Sequence, residues 1–196
     1  MKKILFICTR NPYSDRFSGD VIGSKKIINI FKRNSFLDVV TLGKEDDFSK
    51  KNIFVFGEPT LLTKIYNIIK FSFLLQPMQF GLFYSKQMKR FVEDNASNYE
   101  IIFFYHIRSS QYLPNNYFGK TIIEMGDLYS RNYEQTFSYL NIFNPIKYIY
   151  LVESFLMKRI EKNIFSNFDK IILFSKNEIK KIDKIFSKKI IHIDIT

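Results

Sequence analysis

Short apolar runs recur along the chain, and charged or turn-forming residues bound each of them. Runs of this length without polar alternation are typical of strands buried on both faces of a parallel sheet. Segments with apolar residues at helical spacing separate the runs, so the pattern predicts an α/β fold with a doubly wound, mainly parallel sheet and helices on both faces. The predicted strands are residues 3–8, 36–42, 53–56, 101–105, 121–124, 170–174 and 189–194.

Helices are predicted where apolar side chains recur every three to four residues. One begins near Val21, and others cover residues 87–98 and 177–186. The best-marked helix follows Asn144, a suitable N-cap, and has Pro145 at its first position. Five apolar side chains on one face of that helix are predicted to be buried: Ile149, Val152, Leu156, Ile160 and Ile164.

The length of 196 residues suits one domain, and no repeat or low-complexity linker divides it. A single domain over residues 1–196 is therefore predicted. The lone cysteine, Cys8, excludes an internal disulfide, and its place in the run ILFIC predicts a buried hydrophobic residue. No His, Asp, Glu or Cys set has metal-ligand spacing, and no P-loop, G-x-S-x-G or C-x-x-C motif occurs, so we expect neither metal nor cofactor.

The first apolar run is too short for a signal peptide, and a cytoplasmic location is expected. No apolar stretch has the length of a membrane-spanning helix. The net charge of +11, from 30 Lys and Arg against 19 Asp and Glu, attracts phosphates, nucleic acids or an anionic membrane. An alternative explanation is compositional drift, because the excess of Lys, Ile, Asn, Phe and Tyr is what AT-rich codons produce.

The loop after the first predicted strand, RNPYSDRFSGDVIGS, leads into a helix. In doubly wound sheets this connection often holds a phosphate with backbone N–H groups at the helix N-terminus. Gly19 would permit close backbone approach, while Ser18 and Asp20 would supply hydrogen-bonding side chains. The glycine spacing does not match G-x-G-x-x-G, and Gly19 as a simple turn residue remains the alternative.

His106 follows the apolar run IIFFY, at the expected carboxyl end of a strand. A neutral imidazole at this place could contact a sugar hydroxyl or carry a proton, and a hydrogen-bonded loop histidine is the alternative. Arg108 could balance a phosphate charge, and its neighbour Ser109 is a further candidate for substrate binding. His192 lies inside a predicted strand and is expected to be structural.

The strand at residues 121–124 is expected to deliver Asp127 and Ser130 to its carboxyl end, where open α/β sheets bind ligands. An unpaired buried carboxylate is costly, so Asp127 must either face solvent or pair with a neighbour such as Arg131. Asp127 and His106 are the predicted catalytic residues, and Ser130 is a predicted substrate-binding residue.

These segments together resemble the N-terminal half of GT-B glycosyltransferases of the family 4 kind. MKKILFICTRNPYSDRFSGD is similar to the family's first strand and glycine-bearing loop, and FFYHIRSS resembles its strand-end histidine segment. IIEMGDLYSRNYE resembles its strand followed by an Asp-containing turn. YLVESFLMKRIEKNIFSNFDKIILFSKNE is similar to its long helix and the strand after it. One departure is Gly19-Asp20, where many members have two adjacent glycines.

The resemblance implies one Rossmann-like half of a GT-B enzyme, the acceptor side, with the C-terminal donor-binding domain absent. It implies transfer of a sugar from a nucleotide-sugar to a lipid-linked or saccharide acceptor in surface polysaccharide synthesis. His106 and Asp127 would face the reacting sugar, and Gly19 would lie near the donor phosphates. The family's paired-glutamate donor motif has no counterpart in this sequence, so catalysis is expected to need a second domain.

The apolar segment at residues 61–83 has lysines beside aromatic and aliphatic residues. We expect it either to dock at the inner face of the cytoplasmic membrane, near a polyprenyl-linked acceptor, or to form a core helix plus a loop. Two other functions stay open. One is a non-catalytic subunit that completes its cleft with a separate donor-binding partner, and the other is a basic nucleic-acid-binding domain, which the lack of any such motif disfavours.

Overall fold

The computed structural model describes residues 1–15, 17–44, 52–182 and 184–193. Within them seven strands form one sheet in the order β3-β2-β1-β4-β5-β6-β7, and every neighbouring pair is parallel. This is the predicted α/β, doubly wound, Rossmann-like architecture, which is thereby confirmed. The strands are β1 (Lys3–Ile7), β2 (Phe36–Gly43), β3 (Ile53–Gly57), β4 (Ile101–Tyr105), β5 (Lys120–Gly126), β6 (Lys170–Leu173) and β7 (Ile190–His192).

Helices pack on both faces of the sheet. Side chains alternate between the two faces along each strand, so each strand contributes to two hydrophobic cores. On one face Ile4 and Phe6 join a core with Ile28, and on the other Leu5 and Ile7 join a core with Met88. The α-helices are α1 (Gly19–Asn34), α2 (Leu61–Phe73), α3 (Met78–Leu82), α4 (Lys86–Asn95), α5 (Tyr129–Tyr139), α6 (Pro145–Asn167) and α7 (Lys176–Ile179). Short 3-10 helices cover Ala96–Asn98, Ile107–Tyr112 and Lys184–Lys189.

Most predicted elements exist, with shifted ends. The predicted helix at residues 177–186 is instead the four-residue α7 followed, after a turn, by a 3-10 helix, and α5 was not separated from α6 by the sequence pattern. The last strand is described as far as His192, and Asp194, which the prediction included, lies outside the described residues. As predicted, Cys8 is buried, and burial raises the pKa of its thiol to about 12.

Helix α6 begins as predicted, since the Asn144 side chain accepts a hydrogen bond from the Ile146 N–H and Pro145 is its first residue. The predicted burial of its whole apolar face is wrong for the first half, where Ile149 and Val152 are exposed. The reason is length. A helix of 23 residues is about 34 Å long, so its first half extends beyond the carboxyl edge of the sheet.

Helix α2 is also largely uncovered, although its sequence is mostly apolar. Asn67 is its one buried residue, so the core-helix alternative for residues 61–83 is wrong for α2, whereas Phe80 of α3 does belong to the core. The exposed apolar residues of α2 and the turn after it, together with those of the first half of α6, are called the apolar overhang here. They are Leu61, Leu62, Ile65, Tyr66, Ile69, Phe73, Leu74, Leu75, Ile146, Tyr148, Ile149, Leu151, Val152 and Phe155.

The two parts of the apolar overhang meet at an open cavity of about 360 Å³. Leu75 lines it from the α2 side and Ile149 from the α6 side. In the part of the chain that the structure describes, no helix is both long and apolar enough to cross a bilayer.

The strand order reverses between β1 and β4, which are neighbours in the sheet. In open α/β sheets, the crevice outside the carboxyl ends of the strands at such a switch point is the usual ligand site. Here the loop that leads from β1 to α1 borders the crevice on one side. His106 and the 3-10 helix Ile107–Tyr112 border it on the other side.

Candidate functional site

One carboxylate joins three basic side chains at this crevice. Asp20, in the first turn of α1, has Oδ2 3.0 Å from Nη1 of Arg10 and 2.8 Å from Nη2 of Arg108. Its Oδ1 lies 3.3 Å from Nε2 of His106. The contacts bring together the ends of β1 and β4 and the start of α1. Arg10 was not among the residues predicted for the site.

The surroundings of Asp20 favour its ionised form. Its contact with His106 is the largest cause, and the charge of Arg108 adds to it, so the pKa of Asp20 lies well below its usual range despite partial burial. A negative charge in the first turn of a helix also suits the helix dipole. With Asp20 ionised, the two arginines leave the crevice with an excess of positive charge.

Arg108 is held in place by packing as well as by charge. It is only 8% exposed, and its guanidinium carbon lies 4.5 Å from the ring centroid of Phe83. A buried guanidinium needs paired charge and hydrogen bonds, which Asp20 supplies in part. Arg108 was predicted to contact substrate, and the structure places its head group at the crevice beside Asp20.

His106 has a backbone conformation that is rare for a non-glycine residue, with a φ of 66°. Three hydrogen bonds hold it: its N–H donates to the Glu124 carbonyl at 2.8 Å, and its carbonyl accepts from the Ser109 N–H at 3.0 Å and the Ser109 hydroxyl at 2.6 Å. Ser109 is fully buried, so this predicted substrate-binding residue instead fixes the backbone of His106. Strain held by its surroundings in this way is often found at functional sites.

Unpaired polar atoms concentrate at the crevice. Within the described residues, the buried side-chain nitrogens and oxygens that lack a hydrogen-bond partner are mostly found here, and Gln111 Oε1 is the one elsewhere. Such atoms are rare in folded proteins, so their concentration at one place needs an explanation. Those at the crevice are Arg10 Nε, Ser18 Oγ, His106 Nε2, Arg108 Nε, Glu124 Oε1 and Glu124 Oε2.

The N-terminus of α1 is open toward the crevice. Ser18 occupies the N-cap position with extended backbone, but its hydroxyl makes no capping hydrogen bond. A methyl group added at Gly19 would meet nothing within 4 Å. The predicted residues of this loop therefore border free space at a helix N-terminus, which is a suitable place for an anion.

Asp127 faces solvent, which was one of its two predicted alternatives. It follows Gly126, whose φ of 73° turns the chain at the end of β5. The β5–β6 register also shifts between Glu124 and Gly126, so the strand ends irregularly. Asp127 thus lies at the carboxyl end of the strand next to β4.

Ser130 is turned away from the crevice. Its N–H and hydroxyl both donate to the Glu161 carboxylate of α6, at 2.9 and 2.6 Å, and the residue is buried. Its hydroxyl is therefore used to join α5 to α6. This differs from the predicted role in substrate binding, which placed Ser130 beside Asp127 at the edge of the sheet.

Glu124 is the most notable residue that the prediction left out of the site. It is 1% exposed, in the middle of β5, and burial raises the pKa of its carboxyl group to about 7, with nearby His106 acting in the opposite direction. The signal in the sequence was a glutamate inside the apolar run IIEM. No cluster of three or more His, Cys, Asp or Glu side chains able to hold a metal ion occurs within the described residues.

No protein-family model matches the chain, and no curated protein matches it significantly. A solved structure of a sucrose-phosphate synthase from Thermosynechococcus elongatus has a similar fold. The TM-score is 0.53 and the identity 14%, and the match covers 100% of this chain and 90% of that chain. At this identity the likeness shows the fold alone.

Proposed function

We propose that the chain is the acceptor-side domain of a glycosyltransferase that moves a sugar from a nucleotide-sugar to a lipid-linked or saccharide acceptor in surface polysaccharide synthesis. The observation that carries the proposal is the pair of arginines, Arg10 and Arg108, around Asp20 at the switch point. The fold supports it as well, since the similar structure is named for the synthesis of a phosphorylated disaccharide, sucrose phosphate.

The anionic ligand of the crevice is proposed to be the diphosphate of the nucleotide-sugar. Guanidinium N–H groups and backbone N–H groups at a helix N-terminus are the donors that phosphate oxygens prefer. Arg10 and Arg108 each have a buried Nε without a partner, and the space in front of Gly19 is open. In the reaction these donors would stabilise the charge that develops on the leaving diphosphate.

His106 and Asp127 are proposed to act on the acceptor side. The acceptor hydroxyl attacks the anomeric carbon, the bond from that carbon to the diphosphate breaks, and the hydroxyl proton must pass to a base. His106 is the proposed base, because its imidazole lies at the crevice with Nε2 3.3 Å from the Asp20 carboxylate, which would stabilise the imidazolium that forms when the ring takes the proton. Asp127 is proposed to bind sugar hydroxyls from the exposed end of β5.

The rest of the cleft is proposed to come from a second domain that holds the nucleoside. That domain is either part of the same polypeptide or a separate partner subunit. A domain that faces the carboxyl ends of the strands would enclose the reacting groups. No metal ion or other cofactor is part of this proposal.

The apolar overhang is proposed to rest on the anionic inner face of the membrane, where a polyprenyl-linked acceptor is held. Residues 59–92 and 135–152, which contain most of the overhang, include no Asp or Glu. They do include Lys64, Lys70 and Lys147. The acidic side chains beside the overhang are Glu58, 3.8 Å from Lys64, and Glu153, which lines the cavity. An apolar surface with lysines on it suits lipid with anionic headgroups.

The experiment that tests the anion site is calorimetric titration of the protein with UDP, GDP and inorganic pyrophosphate. We expect saturable binding that weakens at least tenfold in Arg108→Gln. Arg33→Gln removes the same charge from the exposed far end of α1 and serves as the matched control. Absence of binding, or an equal loss of affinity in Arg108→Gln and Arg33→Gln, would overturn the proposed anion site. Tighter binding of random DNA, with equal loss in both variants, would favour the nucleic-acid alternative.

A further inference from the structure

Glu124 is a carboxyl group enclosed by protein directly behind the crevice. It lies on β5 in register with Tyr105 of β4, and the neighbouring β6 covers its other side. Within the described residues neither of its carboxyl oxygens makes a hydrogen bond of good geometry, and the nearby Gly126 N–H favours the ionised form only weakly compared with the effect of burial. Since an ionised carboxylate without donors is costly to bury, the group demands a functional or structural explanation.

The backbone around Glu124 is shaped by two unusual residues. His106 takes its positive φ while its N–H donates to the Glu124 carbonyl, and Gly126 takes a φ of 73°. A methyl group on Gly126 would lie 3.4 Å from Glu124 Oε1, so the enclosure is tight on that side. Glu124 is thus too enclosed to touch a ligand, and any effect on one must pass through its neighbours.

Titratable groups from several elements act on Glu124 or respond to it. His106 favours its ionised form, whereas Asp20 and Asp127 disfavour it. A charge on Glu124 in turn disfavours ionisation of two tyrosines, a buried one on β4 and a half-buried one on α5. These tyrosines are Tyr105 and Tyr129.

We infer that Glu124 is a positioning residue for the anion site, acting through its charge on the basic groups of the crevice: as a neutral acid it permits anion binding, and as a carboxylate it weakens that binding. The step is a simple proton release, in which the carboxyl O–H bond breaks and the proton passes to water. The negative charge that remains lies behind His106 and offsets part of the positive charge of the arginines. This inference rests on the proposed anion site but not on the glycosyl transfer.

The first test is direct. In protein labelled with carbon-13 at the glutamate carboxyl carbons, one signal should titrate near pH 7 and should vanish in Glu124→Gln. Glu161→Gln, which removes another buried glutamate from outside the crevice, should leave that signal in place. A Glu124 midpoint between about 4 and 5, the usual range for glutamate, would overturn the inference.

The second test uses sulfate, whose charge is constant between pH 5.5 and pH 8.5. We expect sulfate affinity of the wild type to fall about three- to tenfold between pH 6 and pH 8. Glu124→Gln should lose most of this fall, while His106→Asn, which suits the positive φ, should retain the part caused by Glu124. An identical pH dependence in wild type and Glu124→Gln would overturn the inference about Glu124 but not the proposed anion site.

Two further outcomes distinguish a failure of the anion site from a failure of the inference about Glu124. If sulfate fails to bind at every pH, both the anion site and this inference fail. If Glu124→Gln does not fold, Glu124→Asp keeps a titrating carboxyl group in a smaller side chain and should still show the pH-dependent loss of sulfate affinity. A folded Glu124→Asp protein without that loss would also overturn the inference.

Discussion

Nη2 of Arg108 lies 2.8 Å from Oδ2 of Asp20, across 88 positions of sequence. This ion pair connects the 3-10 helix after β4 to the first turn of α1, and so it joins the two sides of the crevice at the switch point. A buried arginine with one carboxylate partner depends strongly on that partner. The stability of the crevice and its affinity for anions are therefore linked.

The Asp20→Asn substitution should show this link. We expect the free energy of unfolding to fall by about 2 kcal/mol, because Arg108 loses its charged partner while it stays buried. Sulfate affinity should rise in the same variant, since one negative charge leaves the crevice. Urea unfolding and sulfate titration measure the two effects, and a loss of both stability and affinity would contradict the account.

The pH dependence of stability should report Glu124. Burial raises its folded-state pKa to about 7, whereas the unfolded chain has the ordinary value of about 4.3. Between these values the folded protein holds a proton that the unfolded chain has released, so stability falls as pH rises. The fall should total roughly 4 kcal/mol and level off above pH 7.

In Glu124→Gln that part of the pH dependence should disappear. Urea unfolding at intervals between pH 4.5 and pH 8 measures it in both proteins. Glu161→Gln should keep the fall caused by Glu124. A wild-type stability that rises over this range, or an equal fall in Glu124→Gln, would show that Glu124 is ionised in the folded protein.

Two glycines at the site should respond oppositely to alanine. Gly126 has a φ of 73°, and a methyl group there would also lie 3.4 Å from Glu124 Oε1, so Gly126→Ala should lower the free energy of unfolding by about 1–2 kcal/mol. Gly19→Ala places its methyl group in open space in a helix and should be neutral or slightly stabilising. Melting temperatures compare them, and equal effects would contradict the geometry.

Ser130→Ala should affect stability but not ligand binding. The buried Glu161 carboxylate would lose its 2.6 Å hydroxyl donor, so we expect about 1–3 kcal/mol of destabilisation. Sulfate and UDP titrations of the folded variant should match those of the wild type, in contrast to Arg108→Gln. Reduced affinity in Ser130→Ala would show that this serine contributes to ligand binding at the crevice.

The apolar overhang should bind anionic vesicles. In sedimentation with phosphatidylglycerol vesicles, Phe73→Ser should weaken binding about tenfold, since Phe73 is 85% exposed on the overhang. Phe118→Ser is the control. Phe118 is 99% exposed just before β5, at the amino ends of the strands and therefore away from the carboxyl ends. Equal effects of the two substitutions, or self-association that Phe73→Ser abolishes, would favour a protein partner.

Strands β1 and β4 could be predicted because each is buried on both faces and reads as an unbroken apolar run. The end of such a run also locates the sheet edge, which is why His106 was placed correctly after β4. The partners at that edge could not be predicted. Asp20 meets Arg10 and Arg108 only because β1 and β4 are neighbours in the sheet.

Two other differences between the predictions and the structure depend on three-dimensional geometry that the sequence pattern does not contain. Helical spacing shows that Ile149 and Leu156 share a face, but not that the sheet ends between them. Likewise Ser130 follows Asp127 by three positions, yet α5 has already begun and turns the serine toward Glu161. Glu124 was visible as a charge inside an apolar run, and its role depended on neighbours from other strands.

The central place of β1 has a consequence for synthesis on the ribosome. Ile4 pairs with Leu37 on one side and with Ile101 on the other. At roughly 5–20 residues per second, the second partner is translated roughly 5–20 s after β1. Until then one edge of a strongly apolar strand has no neighbour, so we expect the nascent chain to rely on chaperones through this interval.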